Sequence, residues 1–394
     1  MEIKKRLLGY LFAFTLPLIF VETANAQLDQ AHYLNEARQN DSWYKKSVAN
    51  AGDVSILKAI MAKAKSGQPV TIGVIGGSIT EGSGASDAKN TSYGPLITKW
   101  WQEKFPQTTF TFINAGIGAT GSMYGVHRVD KDLLSFNPDF VIIEFSVNDI
   151  NEKDATESYE GLVRKILKHN PATAILAIAT TWNNGQNWQE KHLEVCKHYN
   201  IPMISYRDAI WPEVAAKNIE WKDISPDVVH PNDRGHAYIA GLTIRFLENV
   251  YNQPVIAHHS INFPKPLTKN RFEKSTIADI LNLGIIQTGN WRKKQEGWLA
   301  TSNGAPLIFK VKGRFLQIMY KRTNNSTGAK AYVLIDGKSR TNLDADFAGG
   351  WGQYPAITPI LIDGKRKRHK VSVYFDDTRE KHNFLIYRIL EANY

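Results

Sequence analysis

Residues 70–80 read VTIGVIGGSIT. The run Val70 to Ile75 shows no polar alternation, the pattern of a strand buried on both faces. Two glycines and a serine end it, so the chain turns sharply where the strand stops, and a helix is expected near Gly94 to Phe105. The same unit recurs downstream. Phe110 to Ile113, Phe140 to Phe145, Ile175 to Ala179 and Pro202 to Tyr206 read as further strands. Amphipathic stretches after Gly125, at Glu157 to His169, at Gln189 to Tyr199 and at Asp233 to Tyr251 read as the helices between and after them. Strands alternating with helices imply an α/β fold over 70–251, its parallel sheet covered on both faces. In such sheets ligands gather at the carboxyl ends of the strands.

The pattern changes on either side of this region. Residues 27–69 read as a helical segment, and 252–270, with Pro254, Pro264 and Pro266, as a linker. From 271 to 394 the segments are β-like: Leu307 to Val311, Phe315 to Tyr320, Ala331 to Ile335, Ile360 to Ile362, Lys370 to Phe375 and Asn383 to Ile389. Asp336-Gly337 and Asp363-Gly364 are hairpin signals between them. An all-β sandwich or jelly roll is expected there. At the other end, Lys4, Lys5 and Arg6 precede the apolar run Leu7 to Val21, and Ala24-Asn25-Ala26 supplies a small-x-small cleavage pattern. Residues 1–26 are therefore expected to be a signal peptide. The mature chain would start at Gln27, outside the cytoplasm (periplasmic or secreted), with no stable membrane span.

Composition excludes several classes. A hydrophobic fraction of 43% over 394 residues is that of globular domains, not of disordered, collagenous or multi-span membrane chains. Cys196 is the only cysteine, so no internal disulfide can form, and its apolar surroundings suit a core residue. Charge is unevenly placed. From residue 258 onward 23 Lys+Arg face 11 Asp+Glu, a net of +12, whereas 27–257 carries −3. The basic part includes Lys365-Arg366-Lys367-Arg368-His369-Lys370. Such a surface favours anionic partners, an acidic glycan among them, although the six-residue run alone reads as a solvated hairpin tip. Nucleic acid is not an expected partner.

Four segments lie at or beyond the carboxyl ends of the expected strands. Gly76-Gly77-Ser78-Ile79-Thr80 places a serine on a tight turn; it is not a Gly-x-Ser-x-Gly elbow, because position 80 is Thr. Asn114 to Gly121 contains Gly-x-Gly-x-x-Gly, a weak dinucleotide fingerprint. Phe145-Ser146-Val147-Asn148-Asp149 leaves the third strand, and Asp227-Val228-Val229-His230-Pro231-Asn232 precedes the last helix. Acyl transfer needs a hydroxyl, a base that takes its proton, a carboxylate that orients the base, and donors for the oxyanion. Ser78, His230 and Asp227 can supply the first three; the Gly-rich loop and Asn148 can supply the last.

On these motifs, residues 70–251 resemble the SGNH/GDSL hydrolase family. Gly76 to Thr80 looks like its first motif, with Ser78 as nucleophile. Ser146 to Asp149 looks like its third, with Asn148 donating to the oxyanion. Asp227 to Pro231 looks like its last, holding acid and base three residues apart. The resemblance implies a flavodoxin-like αβα sandwich and serine esterase chemistry without metal or cofactor. The family's oxyanion glycine falls on Ala119, whose backbone N–H would serve beside that of Ser78. The β region is similar to jelly-roll modules that accompany some carbohydrate esterases. Export, this added module and the tryptophans together point to acetyl groups on a polysaccharide, acidic or neutral, as the substrate.

Other residues carry weaker readings. Asp227, His230, Asp233 and His236 could be taken for a metal cluster, but Pro231 breaks the helix between the pairs, so no metal is expected. Asp149 suits a structural role. Trp182 and Asn183, after the fourth strand, and Trp351, flanked by Gly349, Gly350 and Gly352, are expected sugar contacts, since indoles stack on sugar C–H faces. Trp188, Trp211, Trp221, Trp291 and Trp298 are equally suited to core packing. A lipase or lysophospholipase, a non-catalytic glycan-binding protein, and an NAD-dependent oxidoreductase are the competing readings. An apolar acyl groove would mark the first, and an unreactive Ser78 the second. The third would leave Asp227 and His230 unused.

Overall fold

A computed structural model of the chain describes residues 29–150, 154–254, 263–281 and 283–394. The expected signal peptide and part of the expected linker lie outside the described residues. Helices α1 (29–39), α2 (Asp41–Ser47) and α3 (Ser55–Lys65) precede the first long strand, with the short strand β1 (Val48–Asn50) among them. There follow β2 (Val70–Gly76), the single turn α4 (Ser78–Glu81), α5 (Tyr93–Lys104), β3 (Phe110–Gly116), α6 (Ser122–Asp132) and β4 (Phe140–Glu144). The unit closes with α7 (Ala155–His169), β5 (Ala174–Ala179), α8 (Gln189–His198), β6 (Met203–Ser205), α9 (Tyr206–Ala215), α10 (Trp221–Ile224) and α11 (Asp233–Asn252).

The strands form one sheet in the order β1-β6-β5-β4-β2-β3. All its pairings are parallel except β1 with β6. β4 and β5 are buried along their whole length, as their apolar runs require. One apolar layer packs α3, α5 and α11 on one face of the sheet, and a second packs α6, α7 and α8 on the other. The expected αβα sandwich is thus present. Strand β1 is not legible in the sequence: three residues between two helices carry no period, and only pairing with β6 makes them a strand.

The C-terminal part begins with β7 (Ser275–Ala278), β8 (Gly284–Gln287), β9 (Arg292–Lys293) and β10 (Trp298–Ala300). It continues with β11 (Leu307–Gly313), β12 (Phe315–Arg322), β13 (Lys330–Ile335), β14 (Ser339–Asp344), β15 (Tyr354–Leu361), β16 (Lys367–Phe375) and β17 (Phe384–Ala392). These strands make two antiparallel sheets. One runs β15-β12-β17-β10-β9, with β7 also on β17; the other runs β14-β13-β16-β11-β8. Alternating burial on β11 and β13 points one side of each strand into a shared apolar core that includes Trp291 and Trp298. Asp336-Gly337 lies in the β13–β14 hairpin, as expected. Asp363-Gly364 does not close a hairpin. It carries the chain from β15 in one sheet to β16 in the other, because β15 pairs with β12 instead. The basic run begins in that crossing and ends inside β16.

The described part of the Pro-rich stretch and the residues after it are clasped to α7. Glu160 accepts the N–H groups of Leu267 and Thr268, and Arg271 pairs with Glu157 at 2.6 Å and Asp154 at 2.7 Å. Arg164 and Lys168 both pair with Glu273. Burial alone would raise the Glu273 carboxyl, but Lys168, Arg164 and Asn270 hold it down at about 2. Phe272, Phe315 and Ala392 pack in the same apolar layer as Leu162 and Ile166 of α7. The two folds therefore meet through one apolar layer, while the sandwich keeps a core of its own.

Candidate active site

Strand β2 delivers Ser78 to the carboxyl edge of the sheet. Gly76 and Gly77 are required there by close approach: a Cβ on Gly76 would fall 2.3 Å from the Glu144 carbonyl oxygen, and one on Gly77 2.1 Å from Asn148 Oδ1. Ser78 opens the single turn α4, which ends at Gly82 in the left-handed region, φ +108°. As first residue of that turn, its N–H has no intrahelical partner.

The Ser78 hydroxyl and His230 Nε2 are 2.9 Å apart, and His230 Nδ1 lies 2.6 Å from Asp227 Oδ2. With Nδ1–H donating to the carboxylate, Nε2 is left to accept the serine proton. Asp227 Oδ1 accepts the backbone N–H groups of Val229 and His230, each at 2.8 Å. Partial burial would raise this carboxyl, yet those N–H groups and the imidazole hold it below the usual aspartate range. The loop is held from outside as well. Ser225 donates to the carbonyls of His230 and Asp227, Trp221 Nε1–H to that of Asp227, and the Asn183 N–H to that of Val228.

Two further segments border Ser78. A Cβ on Gly118 would sit 3.8 Å from the Ser78 Cβ, so the turn after β3 packs directly on the serine. Ala119 follows in the left-handed region at φ +56°, a conformation costly for any residue but glycine. Among the described residues neither the Gly118 nor the Ala119 N–H has an intramolecular acceptor. The Asn148 carboxamide is equally uncommitted: its oxygen is buried without a partner, and its N–H groups donate to no described residue. Asp149 fixes both segments from below. Buried, it accepts the Ser122 N–H at 2.7 Å and contacts His192 Nε2 at 2.9 Å, and the His192 ring stacks on Tyr159.

Other expected residues fall as follows. Asp233 accepts from Ser86 and Thr91, and His236 is buried against Tyr93 and the Ser83 carbonyl. Both brace the loop after Ser78 and lie in no metal-ligating group; among the described residues none is found. Trp182 is half-buried with its Nε1–H on the Val147 carbonyl, while Asn183 is exposed. Trp351 belongs to the β sandwich and is 69% exposed, with Tyr354 beside it. A cleft of about 580 Å³ lies between the two folds, lined by Gly118 and Tyr124 on one side and Glu296, Pro355, Tyr387 and Arg388 on the other; of the residues that border Ser78 it reaches Gly118. Ser225, Glu144 and His192 are site supports that the sequence does not single out. Ser225, two residues before Asp227, carries the one usable signal, a hydroxyl placed to bond a turn.

Residues 74–238 match the GDSL-like lipase/acylhydrolase family. The chain is similar to the crystal structure of a two-domain esterase (CEX) active on acetylated mannans, with 36% identity and a TM-score of 0.84 over 89% of this chain and 98% of that one. The crystal of such an esterase grown with mannopentaose matches equally, at 36% identity and a TM-score of 0.83 over the same shares of the two chains. No curated protein matches the sequence.

Proposed function

The chain belongs to the GDSL-like lipase/acylhydrolase family and is a carboxylic ester hydrolase acting on carbohydrate, and from this premise we propose an exported esterase that removes acetyl groups from a mannan-type polysaccharide. The observation that carries the mechanism is the relay Ser78–His230–Asp227, at 2.9 and 2.6 Å. Ser78 Oγ attacks the acetyl carbonyl as its proton passes to His230 Nε2. Asp227 keeps Nδ1 protonated and offsets the imidazolium charge. The oxyanion takes hydrogen bonds from the Ser78 N–H, from the free N–H groups at Gly118 and Ala119, and from the Asn148 amide. His230 then protonates the departing sugar oxygen. Water, deprotonated by the same nitrogen, attacks the acyl-enzyme; acetate leaves and Ser78 recovers its proton. The route uses side chains, backbone N–H groups and water alone.

The acetylated-mannan reading is supported by the relative's activity, and the cleft beside Gly118, with walls from both folds, offers room for a sugar chain. Trp182 and Asn183, bonded to the Val147 and Val228 carbonyls of the Asn148 and His230 loops, and the exposed Trp351 of the sandwich are further sugar contacts of this reading, outside the lining of that cleft. Cleavage after Ala26 sends the chain out of the cytoplasm, and no helix among the described residues is long and apolar enough to cross a membrane. Ser78→Ala is expected to abolish both acetate release from acetylated mannan oligosaccharides and labelling by a fluorophosphonate, with an unchanged circular dichroism spectrum. Undiminished acetate release by that variant would refute the mechanism. A higher rate on acetylated xylan or pectin than on mannan would overturn the substrate.

A further inference from the structure

The sheet β14-β13-β16-β11-β8 has one face in the sandwich core, and its other face is exposed or half-exposed except at Ser372, which lies between Ile308 and Leu334. Register decides what that outer face carries. Lys310 on β11 lies directly opposite Lys370 on β16, and Lys312 opposite Arg368. All four are exposed, since their neighbours Val311 and His369 take the inward positions. On the far side of Lys310 the next strand presents Gly284, which covers nothing. Farther along the same face Tyr374 pairs with Tyr332 on β13. Their rings stack at 4.7 Å, and the Arg340 guanidinium sits 3.8 Å over Tyr332.

Like charges directly opposite on neighbouring strands destabilise a sheet. Neutralising partners are scarce. Among the described residues no carboxylate forms an ion pair with Lys310, Lys312, Arg368 or Lys370, and Glu391 interacts with Lys312 only at longer range. Asp336, which contacts the basic run, is taken up by Lys367 and His369. A cation cluster held at a cost and left uncovered is arranged for an anion, and at its end the outer face of Tyr374, the one not taken by Tyr332, suits a sugar ring. The cleft beside Gly118 is lined instead by strands β12, β15 and β17 of the other sheet, through Met319, Pro355 and Arg388.

We propose that this face is a second glycan-binding surface, separate from the ester site, for a polysaccharide bearing carboxylates such as a uronic-acid polymer. It would hold the enzyme on acidic polymer while the cleft works on acetylated chains. The choice of a glycan over other polyanions rests on the carbohydrate-esterase reading; the choice of an anion does not. Ile308 and Leu334 on this face are half-buried. Ile286, on the edge strand β8, is the one large apolar side chain of this sheet that is exposed among the described residues, too little to anchor in a bilayer.

Affinity electrophoresis of the full chain through polygalacturonate tests this. Retardation is expected, falling away at roughly 1 M salt, where the screening length is about 3 Å. The triple variant Lys310→Ala/Arg368→Ala/Lys370→Ala should need at least about tenfold more polymer for equal retardation, about 1.4 kcal/mol of binding. Its hydrolysis of 4-nitrophenyl acetate should stay at the wild-type rate. Lys370→Gln alone should weaken binding in the same direction, and Lys65→Ala/Lys89→Ala/Lys131→Ala, which removes equal charge elsewhere, should not. Ser78→Ala should bind as the wild type does, so failure of the ester mechanism and failure of this surface are read separately. The proposal is overturned if the first triple variant migrates like the wild type, or if the control triple loses as much. It is also overturned if phosphatidylglycerol vesicles or duplex DNA bind this face more tightly than polygalacturonate.

Discussion

Gly77 shows how finely single positions set the site. Its φ of −88° asks for no glycine, yet its missing Cβ is what lets the Asn148 amide lie against the serine turn. Gly77→Ala should push that amide away and lower kcat on the order of a hundredfold, the cost of losing one oxyanion donor, with little change in KM. Steady-state kinetics on a soluble acetyl ester would check it, and an unchanged kcat would contradict the role given to Asn148. Glu144 is a different case. It is fully buried under the Asn148 loop, accepts from Ser146 and Thr180 through one oxygen, and leaves the other without a partner. Burial raises its pKa, outweighing those hydrogen bonds. A carboxyl raised in the folded state stabilises below its unfolded value, about 4.3, and loses that contribution as pH climbs through the folded value. Glu144→Gln should therefore be better tolerated at pH 7 than at pH 4, seen by denaturant unfolding at both. A larger loss at pH 7 would show the carboxylate to be needed ionised.

Among the elements, α7 and the segment after the prolines form the structural joint. Arg271 is almost wholly buried between Glu157 and Asp154. Burial would lower its guanidinium, but Glu157 and then Asp154 keep it firmly charged. Removing one member of a buried pair leaves the other charge uncompensated, at about 3–5 kcal/mol. Arg271→Ala should thus lower the melting temperature markedly, and a change within error would mean that the joint contributes little. The sequence marks this joint only as proline-rich and polar. The ion pair between Arg271 and Glu157 spans 114 positions, and no local period records it. The paired elements of the α/β unit are legible by contrast, because β2, β4 and β5 are apolar for reasons each strand carries in itself.

Over the molecule as a unit, pH is the informative variable. Burial lowers His127 to about 3 and His236 to about 4. Both must stay neutral in the fold but charge freely once unfolded, near pH 6.5. Their stabilisation is complete above that value and is lost as pH falls toward 4, by up to about 1.4 kcal/mol per unit for each group. Glu144 and Glu391, both raised by burial, work in the opposite sense, while carboxyls held low, such as Asp227 and Glu273, add to the loss on the acid side. Denaturant midpoints should therefore decline between about pH 6.5 and 4.5, and a flat profile would contradict the assignment. The strand–helix alternation, the β sandwich and the motif residues Ser78, Asn148, Asp227 and His230 can all be read from the chain before it folds. Hydrophobic period and turn chemistry are local properties, written where they act. Folding had to bring Ser78 and His230, 152 positions apart, to hydrogen-bond distance. Folding likewise packs Gly118 on the serine, opens a cleft between the two folds, and aligns four cations across β11 and β16. Each of these depends on strand order and register, which are set by packing between distant segments and are recorded in no single one of them.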